Sequence, residues 1–293
     1  MYNYKINGLT LLHIMLMAFI ALPAQDNDLL AELDELSSEE VIFESPAFKA
    51  LQIGNLQSTK IVAANELYMV VAHRFGSVKG GIHDFYGLDQ ANTKIQLLYG
   101  LCNNLQVSIS RDSYEKTYSG ALKYGLLRQS SVAPLSIVYY TSIDINTLLS
   151  KIQYPTLVFY DRMAYSTQLL IAKRFSPKLS IELAPTYVRQ NFINLNYTKA
   201  NIWNQYLIAL GGRYKFTKRM SLNMDYAYNF SKSAASLYFN PFTIGVDIET
   251  GGHVFQLLFT NSRASNDAAF LTEALGDWSK GDISFGFNIV RVF

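Results

Sequence analysis

The stretch Met220-Ser-Leu-Asn-Met-Asp-Tyr-Ala-Tyr-Asn-Phe230 sets a large apolar or aromatic residue at every second position and a small or polar one between. Successive side chains of a β-strand point to opposite faces, so a period of two marks a strand with two chemically different sides. In a soluble sheet the apolar side covers a core. In an outer-membrane barrel it meets lipid, and the small polar side meets the lumen. One strand is compatible with both, and the rest of the chain separates them.

The same alternation recurs after Glu66 and predicts about twelve strands, at 66–75, 92–101, 105–112, 117–127, 135–145, 163–175, 179–188, 204–216, 220–230, 241–249, 253–262 and 282–293. Their connections alternate in length. Cys102-Asn-Asn104, Ser176-Pro-Lys178, Thr217-Lys-Arg219 and Thr250-Gly-Gly252 are tight, and Arg128 to Pro134 is only slightly longer. The intervening segments 76–91, 146–162, 189–203, 231–240 and 263–281 are long, with 113–116 the short exception. Brief turns at one end and extended loops at the other predict an all-β fold: an antiparallel transmembrane β-barrel with short periplasmic turns and long extracellular loops. The apolar face of 220–230 then looks into lipid, and Ser221, Asn223, Asp225 and Asn229 look inward. The last strand carries Ile283, Phe285, Phe287, Ile289 and Phe293 on one parity, interrupted by Arg291. Ending on Phe293, it resembles the signal read by the barrel-assembly machinery of Gram-negative bacteria.

Composition agrees. With 20 Tyr, 18 Phe and 16% charged residues in 293, the chain is too apolar for disorder. Beyond the N-terminus no apolar run reaches the length of a transmembrane helix. Lys5, the apolar stretch Leu9 to Leu22 and the small residues before Ala24 read as a signal peptide over residues 1–24. Export follows, and the single Cys102 allows no internal disulfide.

Residues 25–59 are expected to be an acidic periplasmic segment ahead of a barrel at 60–293. Eight acids and no Lys or Arg lie between Gln25 and Phe48, whereas, Lys5 aside, all 24 remaining Lys and Arg lie from Lys49 onward. The segment suits either docking at the basic periplasmic mouth near Lys178, Lys218 and Arg219 or a solvated tail. Basic charge spread over strands without a Lys/Arg block excludes nucleic acid as a partner.

The stretches Glu66-Leu-Tyr-Met-Val-Val-Ala-His-Arg-Phe-Gly76, His83-Asp-Phe-Tyr-Gly-Leu-Asp89 and Tyr118-Ser-Gly-Ala-Leu-Lys-Tyr-Gly-Leu-Leu-Arg-Gln129 resemble a family of Gram-negative β-barrel proteins, domain of unknown function 5777. The resemblance runs from about Phe43 to Gln129 and implies an outer-membrane barrel without implying an activity. The Cys102-Asn-Asn104 turn departs from the family's Asp- or Arg-containing turn.

Catalytic signatures are missing: there is no metalloprotease His-Glu pair, nucleotide-binding glycine loop, paired-cysteine zinc site or Gly-x-Ser-x-Gly elbow. No cofactor or metal is expected. A lipid-active rim enzyme would have to use His73 and His83 with Asp84 and Ser77, against the simpler reading of an interfacial His73 and a loop-ordering His83.

The inward set is more informative. Its charged members Lys123, Asp144, Arg174, Glu182, Arg213, Asp225 and Asp247 are the candidate lumen lining, among small residues such as Ser108, Ser110, Ser142, Ser166 and Ser180. Small residues leave space, and a polar space holds water. That predicts a narrow pore for small polar solutes. The alternative is a closed barrel, a partner or scaffold in the membrane, in which Lys123, Arg174 and Arg213 pair with Glu182, Asp225 and Asp247.

Overall fold

A computed structural model of the chain describes residues 41–192, 203–234, 236–250 and 253–293. The expected signal peptide, the acidic residues before Val41, and Gly251 and Gly252 of the last tight turn lie outside the described residues.

Twelve antiparallel strands form a closed barrel: β1 Leu67–Ser77, β2 Ala91–Cys102, β3 Leu105–Asp112, β4 Thr117–Leu127, β5 Ser136–Asn146, β6 Met163–Arg174, β7 Leu179–Gln190, β8 Asn204–Lys215, β9 Met220–Asn229, β10 Phe242–Thr250, β11 His253–Thr260 and β12 Ser284–Val292. Each differs from its expected span by at most two residues at either end. Every strand pairs with its sequence neighbours, and β1 closes on β12 from Tyr68 opposite Val292 to Ser77 opposite Ser284. Closure removes the sheet edges, so backbone N–H and C=O groups are satisfied without water, which a membrane-spanning sheet requires. The short connections gather at the end where β1 begins and β12 stops, and the long ones at the other.

The parity of 220–230 is as read. Ser221, Asn223 and Asp225 are at most 3% exposed, whereas Met224, Tyr226 and Tyr228 are 40% or more exposed. Outward aromatics cluster near the long-loop end, where Phe75 stacks on Phe285 with centroids 5.8 Å apart and Phe259 tilts against Phe285 at 5.6 Å. Phe293 also faces outward: its backbone N–H bonds to Leu67 O at 2.9 Å, and the Arg291 guanidinium lies over its ring.

Among the described residues, two segments outside the strands occupy the lumen. Residues 46–62 run in from the short-turn end, reverse at Ile53-Gly-Asn-Leu56, and return to start β1. Phe48, Ile53, Leu56 and Val62 on this hairpin are 2% exposed or less. At the tip Ile53 N–H bonds to Leu56 O at 2.8 Å, and Ser58 N–H bonds to Leu51 O at 3.1 Å. Gly54 sits at φ +113°, where an added Cβ would lie 2.5 Å from the Asp225 carboxylate, so only glycine fits the turn against that wall. The expected boundary at residue 60 therefore differs from the fold: the chain enters the barrel at Pro46, well before its first strand.

From the long-loop end, the connection between β11 and β12 folds inward and carries the short helix α1, Asp267–Thr272, all six residues of which are buried. Asn266 caps it, its side chain accepting the Ala269 N–H at 3.0 Å. Helix and hairpin share one apolar cluster. Leu56, Phe270 and Leu271 pack among Val138, Tyr140, Leu170, Val188 and Leu207 of the inner wall. A greasy inner wall is unusual for a hydrated lumen. It is satisfied here because inserted chain covers it, as in the core of a soluble domain.

Candidate functional site

The lumen-facing charges are the candidate site. Lys123, Asp144, Glu182, Arg213, Asp225 and Asp247 are all buried in the lumen, and Arg174 lies at its short-turn rim. Among the described residues they do not form the ion pairs of the closed-barrel alternative. Instead, most of them hold inserted chain.

Asp225 accepts the backbone N–H groups of Asn55 at 2.9 Å and Leu56 at 3.4 Å. Glu182 accepts Thr59 N–H at 2.9 Å. Lys123 donates to the carbonyls of Ser58 at 2.9 Å, Lys60 at 3.2 Å and Leu51 at 3.4 Å. Gln106 takes Val62 N–H at 2.9 Å. A hairpin with few internal ladder bonds must place its backbone groups somewhere, and the inward side chains of β3, β4, β7 and β9 receive them. Arg174 pairs with Glu44 at 3.3 Å, where the chain crosses the rim.

The tip is gripped most tightly. Asn55 Oδ1 accepts from Arg74 Nη2 at 2.6 Å and Nε at 3.1 Å, while its Nδ2 donates to Thr243 at 3.0 Å and Thr260 at 3.1 Å. Asn288 adds a bond to Gly54 O at 3.0 Å. All of these partners are buried, where a charge-assisted bond is strong and an orphaned one costly.

The helix is held in the same way. Asp144 accepts Ala268 N–H at 3.2 Å, Asp112 accepts Ser265 N–H at 3.0 Å, and Lys94 donates to Ser265 O at 2.9 Å. Asp267 takes Tyr140 OH at 2.7 Å on one oxygen and Gln57 Nε2 at 3.0 Å on the other. The two inserted segments thus touch each other.

Just beyond the helix, in the long-loop connections, Glu273 accepts from Gln190 at 2.5 Å and lies near Glu115, which accepts from Asn146 at 2.6 Å. Burial, then the charge of Glu115, raises the Glu273 carboxyl to about 8; burial also raises Glu115 and the Tyr114 hydroxyl.

Strand parity marks Lys123, Asp144, Glu182 and Asp225. Arg74, Lys94 and Asp112 share that inward parity on β1, β2 and β3 but stand outside the expected set. Nothing in the pattern marked Asn55, Gln57 or Asp267, most of whose partners lie more than 100 residues away in sequence. At the proposed enzyme rim, His73 contacts Thr93 Oγ1 at 3.1 Å and stacks on Phe287 with centroids 5.2 Å apart. Ser77 accepts Lys79 N–H, and Asp84 accepts Gly87 N–H. The four residues are not brought together by hydrogen bonds.

No curated protein sequence matches the chain. Solved structures resemble it at low identity. The NanC porin is 8% identical over 77% of this chain and 98% of its own, with a TM-score of 0.47. An outer membrane channel from Pseudomonas putida F1 is 13% identical over 80% and 97%, at 0.45. Outer membrane phospholipase A from Escherichia coli is 15% identical over 78% and 90%, at 0.43. The sequence profile of the membrane bound beta barrel domain, domain of unknown function 5777, matches residues 48–293, from the inserted hairpin to the last residue. The chain belongs to that membrane-bound β-barrel family.

Proposed function

We propose that the protein is an outer-membrane barrel of a Gram-negative bacterium, with its short turns in the periplasm, and that it is a conduit for small polar solutes whose resting state is sealed by the 46–62 hairpin. The observation that carries this reading is how the hairpin is held. Its backbone is bound by Asp225, Glu182, Lys123 and Gln106, groups that water solvates well once the hairpin leaves. A lumen wall built to be polar without its plug is built to be wet.

The second reading, a permanently closed scaffold, is favoured by the apolar cluster around Leu56, Leu170 and Phe270, which loses its cover if both segments withdraw. Single-channel recording of refolded protein in planar bilayers separates the two. The conduit reading expects a quiet full-length barrel and discrete conductance steps after deletion of residues 46–58. Silence from a deletion variant that still folds as a barrel supports the scaffold.

A further inference from the structure

The short-turn mouth contains a cavity of about 720 Å³ between the hairpin and the inner wall of β1 and β10–β12, within the size range of small-molecule sites. Its lining is mixed: Phe48, Leu51, Val254 and Val290 are apolar, Lys49, Lys60, Lys218 and Arg219 are cationic, and Glu249 is the acidic member. From these features we infer that the mouth is a binding site for a small organic anion, its apolar body against the hairpin and wall and its anionic head among the cations.

The charge accounting supports the sign. Two carboxylates of this mouth are ion-paired, Glu249 by Lys49 at 2.7 Å and Lys215 at 3.3 Å and Glu44 by Arg174, while the deeper Glu182 and Asp247 accept from Thr59 N–H and from Gln256 at 2.8 Å. Lys60, Lys218 and Arg219 have no carboxylate within ion-pair distance among the described residues. Glu66 lies near enough to Lys60 to act on it electrostatically, but desolvation outweighs it and lowers the Lys60 ammonium below its ordinary value. A charge so placed gains from an added anion.

A second observation comes from behind the cavity. Arg213 lies two residues inward of Lys215 on the same face, is 6% exposed, and leaves Nε and Nη1 without hydrogen-bond partners. Ser180, opposite it on β7, and Ser221, opposite Lys215 on β9, also have unpartnered hydroxyls. Arg213 does not line the cavity. Its charge is felt by Asp247 and Glu249, while two of its guanidinium nitrogens keep hydrogen-bonding capacity behind the cavity, where low dielectric lengthens the reach of a charge. The occupant is a soluble molecule rather than a bilayer lipid, since Tyr68, Val254, Val290 and Val292 reach the cavity from the inner face of the barrel wall.

The site does not depend on conduction; a permanently closed barrel would bind the same ligand. Calorimetric titration of the full chain in lipid nanodiscs tests it with three probes: phenyl phosphate, inorganic phosphate and phenol. Phenyl phosphate is expected to bind at least tenfold more tightly than either fragment. The triple variant Lys60→Gln/Lys218→Gln/Arg219→Gln should weaken it at least tenfold while keeping the heat-dependent gel mobility of the intact barrel. Absence of binding by phenyl phosphate, equal binding of phenyl phosphate and inorganic phosphate, or an unchanged affinity in the triple variant overturns the inference and leaves the cations as solvated rim charges. Should the triple variant fail to assemble, the single variant Lys218→Gln, on an exposed turn, is expected to weaken phenyl phosphate at least twofold, and no change there counts against the site.

Discussion

Gln57 Nε2 donates to Asp267 Oδ1 at 3.0 Å, and through this bond the hairpin from the short-turn end meets the helix from the long-loop end. Asp267 also receives Tyr140 from β5, so one buried carboxylate ties hairpin, helix and barrel wall together. Asp267→Ala leaves the Gln57 and Tyr140 donors without that acceptor, and each orphaned buried group costs about 1–3 kcal/mol. The variant should unfold to the slow-migrating gel form at a lower temperature than the parent. An unchanged transition temperature would mean that the two segments are held independently.

The hairpin tip yields a local prediction. Asn55→Leu removes the acceptor of Arg74 and the donor to Thr243 and Thr260, leaving a guanidinium buried beside an apolar side chain. Expulsion of the tip is the expected response, since the barrel wall is fixed by its own ladder. In a Cys102→Ser background, a cysteine replacing the buried Leu51 should react with a water-soluble maleimide at least tenfold faster when Asn55 is leucine. Equal rates would show that the tip does not anchor the hairpin.

How much of this was legible in the sequence follows from the range of the interactions. Strand existence, parity and loop sorting are local, so Ser221 to Phe230 declares its faces without the rest of the chain. The hairpin has no such signature. Pro46 to Val62 has no period of two or 3.6, and its partners Asp225, Thr243 and Asn288 lie 170 or more residues away from Gly54 and Asn55. One trace was present. Leu170, Val188 and Leu207 share the inward parity of Gln168, Thr186 and Gln205, and apolar residues there require cover that a water-filled lumen cannot give. Glycine placement was a second trace: at Gly100 of β2 any Cβ would collide with the backbone carbonyl of Ala63, so the wall is hollowed where the hairpin returns.

The long-loop carboxylates give a pH dependence. Glu273 is raised to about 8, by burial first and the Glu115 charge second, whereas a free glutamate titrates near 4.3. The folded state therefore binds more protons than the unfolded state between those values. Its contribution to stability is complete below about pH 4 and is lost as pH rises through about 8. Docking of the helix-bearing loop should loosen across that window, seen as faster amide exchange in α1, after correction for the intrinsic pH dependence of exchange. Glu273→Gln should flatten the dependence. A profile that is flat in the parent as well would remove the role assigned to this carboxylate.

Arginine substitutions separate the two faces of the barrel, and the filled lumen changes their expected effect. Leu210→Arg and Tyr226→Arg place a cation on the outward face, both residues being 40% or more exposed there. Arginine at mid-membrane on the lipid side costs about 2–4 kcal/mol, so both should lower the yield of the heat-modifiable barrel. Asn223→Arg points the other way, into a lumen where Asn223 is 3% exposed. A hydrated pore would absorb that side chain without effect. Here it must displace neighbouring chain, and the hairpin is the part that can move. Assembly yield should stay near that of the parent while the Leu51 position becomes reactive to maleimide. If Asn223→Arg blocks assembly as strongly as Leu210→Arg, the assignment of faces fails; if it assembles and leaves Leu51 protected, the lumen beside β9 is open rather than filled.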